Sequence, residues 1–81
     1  MITVLFFAQV RERVGVDSLR LDDDYGSVEA LRLSLMARGD RWAQALDADQ
    51  LLTAVNQALV PREHPLASGD EVAFFPPVTG G

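Results

Sequence analysis

The chain has 81 residues and a formal charge of −5, with no cysteine, no lysine and a single histidine, His64. That length fits one domain, the lack of Cys excludes disulfides, thiolate-held metals and a cysteine nucleophile, and one His cannot build a zinc site of the usual kind. The acidic balance argues against nucleic acid and anionic membranes, which demand basic contacts, while a hydrophobic share of 48% is that of a packed domain rather than a disordered chain.

Ile2 to Ala8 is apolar and β-prone and reads as a buried strand. Its core, Val4 to Ala8, is far too short to span a bilayer. The N-terminus lacks the features of a signal peptide, so the expected location is the cytoplasm. Gln9 to Val14 is charged and fits a short helix before Gly15. Asp17 to Leu21 alternates, with Leu19 and Leu21 on one face, and is expected to return antiparallel to the first strand. Asp22 to Gly26 reads as a solvated turn; its three aspartates lack the spacing of a calcium loop.

Ser27 is the expected N-cap of the main helix, with Glu29 in its first turn. Val28, Leu31, Leu35 and Met36 recur at helical spacing as a core stripe, with Ala30 and Leu33 filling neighbouring positions. Gly39 is expected to close this helix, and Asp40 to cap a second, short one ending at Leu46. Trp42 and Leu46 share one face of it as packing residues. Leu51 to Val55 reads as a strand, Asn56-Gln57 as a two-residue turn tolerating positive φ, and Ala58 to Val60 as a short returning strand. Pro61 to Pro65 is a loop that exposes His64. Ser68-Gly69-Asp70 turns into a last strand, Glu71 to Phe75.

The order β-β-α-β-β-β leaves one main helix to cover one sheet. The compact solution is an α+β fold of the β-grasp, ubiquitin-like kind. It has a mixed sheet, the main helix across it, short extra helices, and first and last strands side by side and parallel. The expected organisation is a domain over residues 1–75 followed by a tail over residues 76–81.

Two features exceed what a core needs. Pro76 and Pro77 remove two backbone donors, so the sheet cannot continue. The chain then leaves as an extended segment that reaches at most roughly 20 Å and ends in Gly80-Gly81. Terminal glycines suit a backbone that threads a narrow channel and presents a bare carboxylate. The second feature follows from strand alternation. With Thr3 and Glu71 in water, Leu5, Phe7, Ala73 and Phe75 share the face away from the helix, with Leu59 at its rim. An apolar patch of this kind marks a partner site, unless the segment from Asp40 to Leu46 or a loop covers it.

Three segments carry a resemblance: Val4-Leu5-Phe6-Phe7-Ala8, Val55-Asn56-Gln57, and the run from Gly69 to the end, closing Phe75-Pro76-Pro77-Val78-Thr79-Gly80-Gly81. They make the chain similar, from end to end, to the molybdopterin synthase small subunits, sulfur carriers of the ubiquitin-like MoaD/ThiS family. The segments 17–24 and 44–50 are less characteristic. The resemblance implies a carrier that is not an enzyme alone. An adenylating enzyme related to ubiquitin-activating enzymes would use ATP and Mg²⁺ to convert Gly81 to an acyl-adenylate. Sulfur from a cysteine-desulfurase system would then give a Gly81 thiocarboxylate. Val78, Thr79 and Gly80 would insert into the large subunit, where sulfur passes to cyclic pyranopterin monophosphate to build a dithiolene. The implied assembly has two small and two large subunits, with no resident metal or cofactor. Two neighbours in function share the Gly-Gly end, the sulfur carrier of thiamine thiazole synthesis and ubiquitin-like modifiers of lysine. The two prolines and the aromatic last strand favour the molybdopterin partner. A binding module with an idle tail is the third alternative.

Overall fold

The computed structural model describes residues 1–22, 24–47 and 51–77. In chain order, Ile2–Phe6 forms β1, Ala8–Val14 α1, Ser18–Leu21 β2, Val28–Met36 α2, Asp40–Leu46 α3, Leu52–Val55 β3, Ala58–Leu59 β4 and Glu71–Phe75 β5. Among the described residues the strands form one sheet, ordered β2-β1-β5-β3-β4. β1 and β5 lie side by side and parallel, and the other pairs are antiparallel. This mixed sheet with its helices is the β-grasp arrangement expected from the sequence.

Alternation decides which face is core. Ile2, Val4, Phe6, Val72 and Phe74 are buried, and they pack with Val10 and Val14 of α1, Val28, Leu31 and Leu35 of α2, and Ala45 and Leu46 of α3. All three helices thus contribute to one core on one side of the sheet. Phe6 stacks on its neighbour Phe74 at 6.2 Å, and Trp42 meets Phe6 edge-on at 5.6 Å. The Arg38 guanidinium lies 5.2 Å from the centre of the Trp42 ring. Trp42 is therefore a packing residue on the helical side, and α3 does not reach across to the other face.

Ser27 caps α2 as expected, its hydroxyl accepting from the Ala30 N–H at 3.1 Å. The other end of α2 differs from expectation. The helix closes at Ala37, which is right-handed (φ −72°), and Gly39 instead sits at the N-cap of α3. Its φ of 156° and ψ of 177° belong to a region nearly confined to glycine. The glycine is spent on starting α3, and Asp40 falls one position inside it, near the positive end of the dipole. β5 has the limits expected, β2, β3 and β4 are each one residue shorter than expected, and β1 ends at Phe6, two residues before Ala8. His64 is half-buried rather than exposed, and its carbonyl accepts from the Val28 N–H at 3.0 Å.

Arg32 is a buried cation that sequence pattern does not single out. It bonds Glu29 one turn earlier, the Met36 sulfur at 3.1 Å and the Leu46 carbonyl at 2.7 Å. The last contact satisfies a carbonyl at the end of α3, so Arg32 joins the two helices as well as neutralising Glu29. Its partner carboxyl is held below its ordinary value, first by that hydrogen bond.

The β3–β4 turn has Asn56 and Gln57 both left-handed, at φ 51° and 71°. This is the two-residue hairpin turn whose twist matches the strands. The Asn56 side chain donates to the Asp70 carboxylate at 3.0 Å and accepts from the Glu71 N–H at 3.1 Å. The other Asp70 oxygen accepts from the Ala67 N–H at 2.9 Å. One asparagine thus braces the hairpin to the start of β5. Two of the segments that carry the family resemblance, around Asn56 and around Asp70, are in contact here.

Candidate functional site

The face of the sheet opposite the helices is assembled by register. Leu5 pairs with Ala73, Ala73 with Ala54, Phe75 with Leu52, and Ala54 with Leu59. Paired residues point the same way. One apolar row therefore runs from Leu5 through Ala73 and Ala54 to Leu59, with Phe75 and Leu52 beside it; within it Ala54 is itself buried, at 7% exposure. Phe7 continues it. Residue 7 lies just past β1 but is still extended (φ −126°, ψ 153°), and its N–H donates to the Phe74 carbonyl at 3.2 Å. Phe7 is 45% exposed and Leu59 68%, whereas Phe6 and Phe74 are buried. Leu5, Ala73 and Phe75 are half-buried, as they must be when apolar neighbours flank them in the same plane.

All five residues expected on the partner face, Leu5, Phe7, Leu59, Ala73 and Phe75, thus lie on one side of the sheet. Leu52 and Ala54 also belong there and were missed. The information was available in principle, because Thr53 and Val55 alternate with them. In the segment Leu51-Leu52-Thr53-Ala54-Val55 the one polar residue, Thr53, suggests the wrong phase, and only pairing with β5 sets the right one. Thr53 proves to be the inward residue, its hydroxyl donating to the Val60 carbonyl at 2.7 Å. A shallow depression of ≈ 350 Å³ borders this face, lined by Leu51, Leu52, Thr53, Leu59, Val60, Pro61 and Arg62.

The face is adjacent to the point where the chain leaves the sheet. Phe75 is the last residue of β5, and Pro76 and Pro77 follow it, both half-buried. Because β1 runs parallel to β5, Phe7 stands at the same end of the sheet, and Leu52 pairs with Phe75 from the other side. The expected tail residues Val78, Thr79, Gly80 and Gly81 lie outside the described residues. Among the described residues there is no cluster of three or more side chains suited to a metal ion, and no helix long and apolar enough to cross a membrane. This surface is apolar and lies next to the point where the chain leaves the sheet.

Comparison with known proteins identifies the kin of this chain. The ThiS family model matches residues 4–81. The molybdopterin synthase sulfur carrier subunit of Escherichia coli (strain K12) is 63% identical over the full length of both chains. Its counterpart from Haemophilus influenzae is 56% identical, again end to end. Among solved structures, a putative molybdopterin converting factor subunit 1 from Pyrococcus furiosus superposes with a TM-score of 0.78 at 29% identity, covering 95% of this chain and 97% of that one. The protein–protein complex of subunits 1 and 2 of the molybdopterin-converting factor from Helicobacter pylori contains a chain with a TM-score of 0.70 at 25% identity, covering 99% of this chain and 97% of that one. With a family model that matches residues 4–81 and two relatives identical at 63% and 56% from end to end, the chain belongs to the ThiS family, beside the molybdopterin synthase sulfur carrier subunits.

Proposed function

We propose that this chain is the sulfur carrier subunit of a molybdopterin synthase and that the carboxyl end of Gly81 carries the sulfur. The observation behind this reading is the end-to-end identity of 63% with a carrier subunit of that name. The placement of Phe7, Leu52 and Phe75 where the chain leaves the sheet supports it. In this reading the apolar face docks on the large subunit, and Val78, Thr79 and Gly80 enter its active site. The working assembly is two carriers with two large subunits, in the cytoplasm.

The chemistry divides between carrier and partners. A carboxylate is a poor electrophile. An adenylating enzyme, using ATP and Mg²⁺, places AMP on the Gly81 carboxyl as a leaving group. A persulfide charged by a cysteine-desulfurase system attacks the acyl carbon and displaces AMP, and a second thiol then cleaves the resulting acyl disulfide reductively, forming a disulfide itself and releasing the Gly81 thiocarboxylate. The resulting thiocarboxylate is ionised and soft at neutral pH, and attacks carbon as a thiolate does. On the large subunit it passes sulfur to cyclic pyranopterin monophosphate, and two such transfers complete the dithiolene. Groups for acid–base work come from the partners. This chain contributes position: a rigid docked domain holds the sulfur at high effective concentration.

The test is reconstituted molybdopterin formation with the natural chain and with one Ala added after Gly81. The extended chain is expected to fold and to dock, yet to transfer no sulfur, because the reacting carboxyl is displaced. Full activity from the extended chain would sink the reading.

A further inference from the structure

Among the described residues, three that are not glycine have left-handed backbone: Ala8, Asn56 and Gln57. Asn56 and Gln57 are the tip of a hairpin, where that conformation is ordinary. Ala8 has no such excuse. Alanine carries a Cβ that meets the carbonyl oxygen at positive φ, and it lacks the short polar side chain that lets Asn or Asp compensate. Its φ of 52° therefore stands out, and it lies next to Phe7, the exposed aromatic beside the chain's exit.

The reason for the conformation is visible in the hydrogen bonds. Phe7 is held from both sides. Its N–H donates to the Phe74 carbonyl at 3.2 Å, so it is still tied to the sheet. Its carbonyl accepts from the Val10 N–H at 3.1 Å and the Arg11 N–H at 3.3 Å, so it also opens α1. No loop separates strand from helix. The chain must turn within one residue to bring Val10 and Val14 under the core face while Phe7 still points to the opposite face. Ala8 makes that turn. We infer that Ala8 is a positioning residue: its left-handed turn fixes the backbone of Phe7 and so presents that ring, already ordered, to the docking partner. An anchor held in its bound geometry loses less freedom on association.

This inference rests on the docking reading proposed above, and the experiment separates the two. The probe is the purified molybdopterin synthase large subunit from the same organism, titrated with the full-length chain. Ala8→Gly removes the steric conflict but also the restraint, since glycine samples both signs of φ. It is expected to leave the thermal midpoint within a few degrees, because the relief in the folded state is offset by a more flexible unfolded chain. Affinity is expected to fall about 3- to 10-fold, a moderate part of what one interface anchor contributes. In a Phe7→Ala background the same change should have no further effect. A chain assembled with D-alanine at position 8, which favours positive φ and keeps the restraint, should bind at least as tightly as the natural one and melt higher. Unchanged affinity in Ala8→Gly, or an equal loss with and without Phe7, overturns the inference. If Phe7→Ala alone binds normally, the docking reading fails instead.

Discussion

Phe6 and Phe7 are neighbours in sequence with opposite duties. Phe6 sits between Phe74 and Trp42 in the core, while Phe7 is exposed, at 45%. Phe6→Ala and Phe74→Ala are each expected to cost about 3–5 kcal/mol of stability, through lost burial plus the cavity left behind. Phe7→Ala and Phe75→Ala should instead weaken binding to the large subunit by about 1–3 kcal/mol, with a smaller effect on unfolding. Chemical denaturation and titration of the four variants check this together; a large stability loss at Phe7 with normal binding would reverse the assignment of faces. At the same scale, the bond from Arg32 holds the Glu29 carboxyl below its ordinary value. The folded chain therefore binds fewer protons there than the unfolded chain. The stability this contributes is present above the ordinary glutamate value that the unfolded chain has and is lost as pH falls through the lower folded value. The Asp70 carboxyl, lowered first by the Ala67 N–H and then by Asn56, acts in the same direction. Unfolding followed from neutral pH into acid should show a shallower loss of stability in Glu29→Gln than in the natural chain.

At the level of elements, the β3–β4 hairpin and the start of β5 behave as one unit. Asn56 links them through two side-chain hydrogen bonds, and its backbone N–H adds a third to the Glu71 carbonyl at 2.8 Å. Asn56→Ala should cost about 1–2 kcal/mol, from hydrogen bonds worth roughly 0.5–1.5 kcal/mol each and from an alanine forced into left-handed backbone. Gln57→Gly should do the opposite and stabilise by up to about 1 kcal/mol, since the second position of this turn prefers glycine. Melting curves check both signs. The strands and this turn were legible in the sequence because alternation and turn chemistry are local. So were the parallel first and last strands, once one helix had to cover one sheet. What escaped was set by long-range contact. The phase of Leu52 and Ala54 is decided by β5, the burial of Arg32 by a carbonyl of α3, and the role of Gly39 by the helix that follows it. The left-handed Ala8 was invisible for the same reason, as alanine is the last residue that local preference would place there.

Across the whole molecule, the proposed function assigns docking to the apolar face and sulfur transfer to the six residues from Pro76 to Gly81. A peptide of residues 76–81 alone is expected to bind the large subunit very weakly, because ordering each residue costs roughly 1–2 kcal/mol and the docking face is absent to offset it. Gly80→Val should dock nearly as the natural chain does yet fail in transfer, since a β-branched side chain at that position would collide with a channel fitted to glycine. Titration for the first property and turnover for the second separate them; tight binding by the peptide, or normal turnover by Gly80→Val, would contradict this division. The central claim is that Gly81 itself carries the sulfur. The most direct measurement is the intact mass of the chain after incubation with its adenylating enzyme, ATP and a sulfur source. The account predicts a gain of about 16 Da, one oxygen replaced by sulfur in a thiocarboxylate, confined to the C-terminal fragment and lost again when the large subunit and cyclic pyranopterin monophosphate are added. An unchanged mass under conditions where molybdopterin is formed would contradict it.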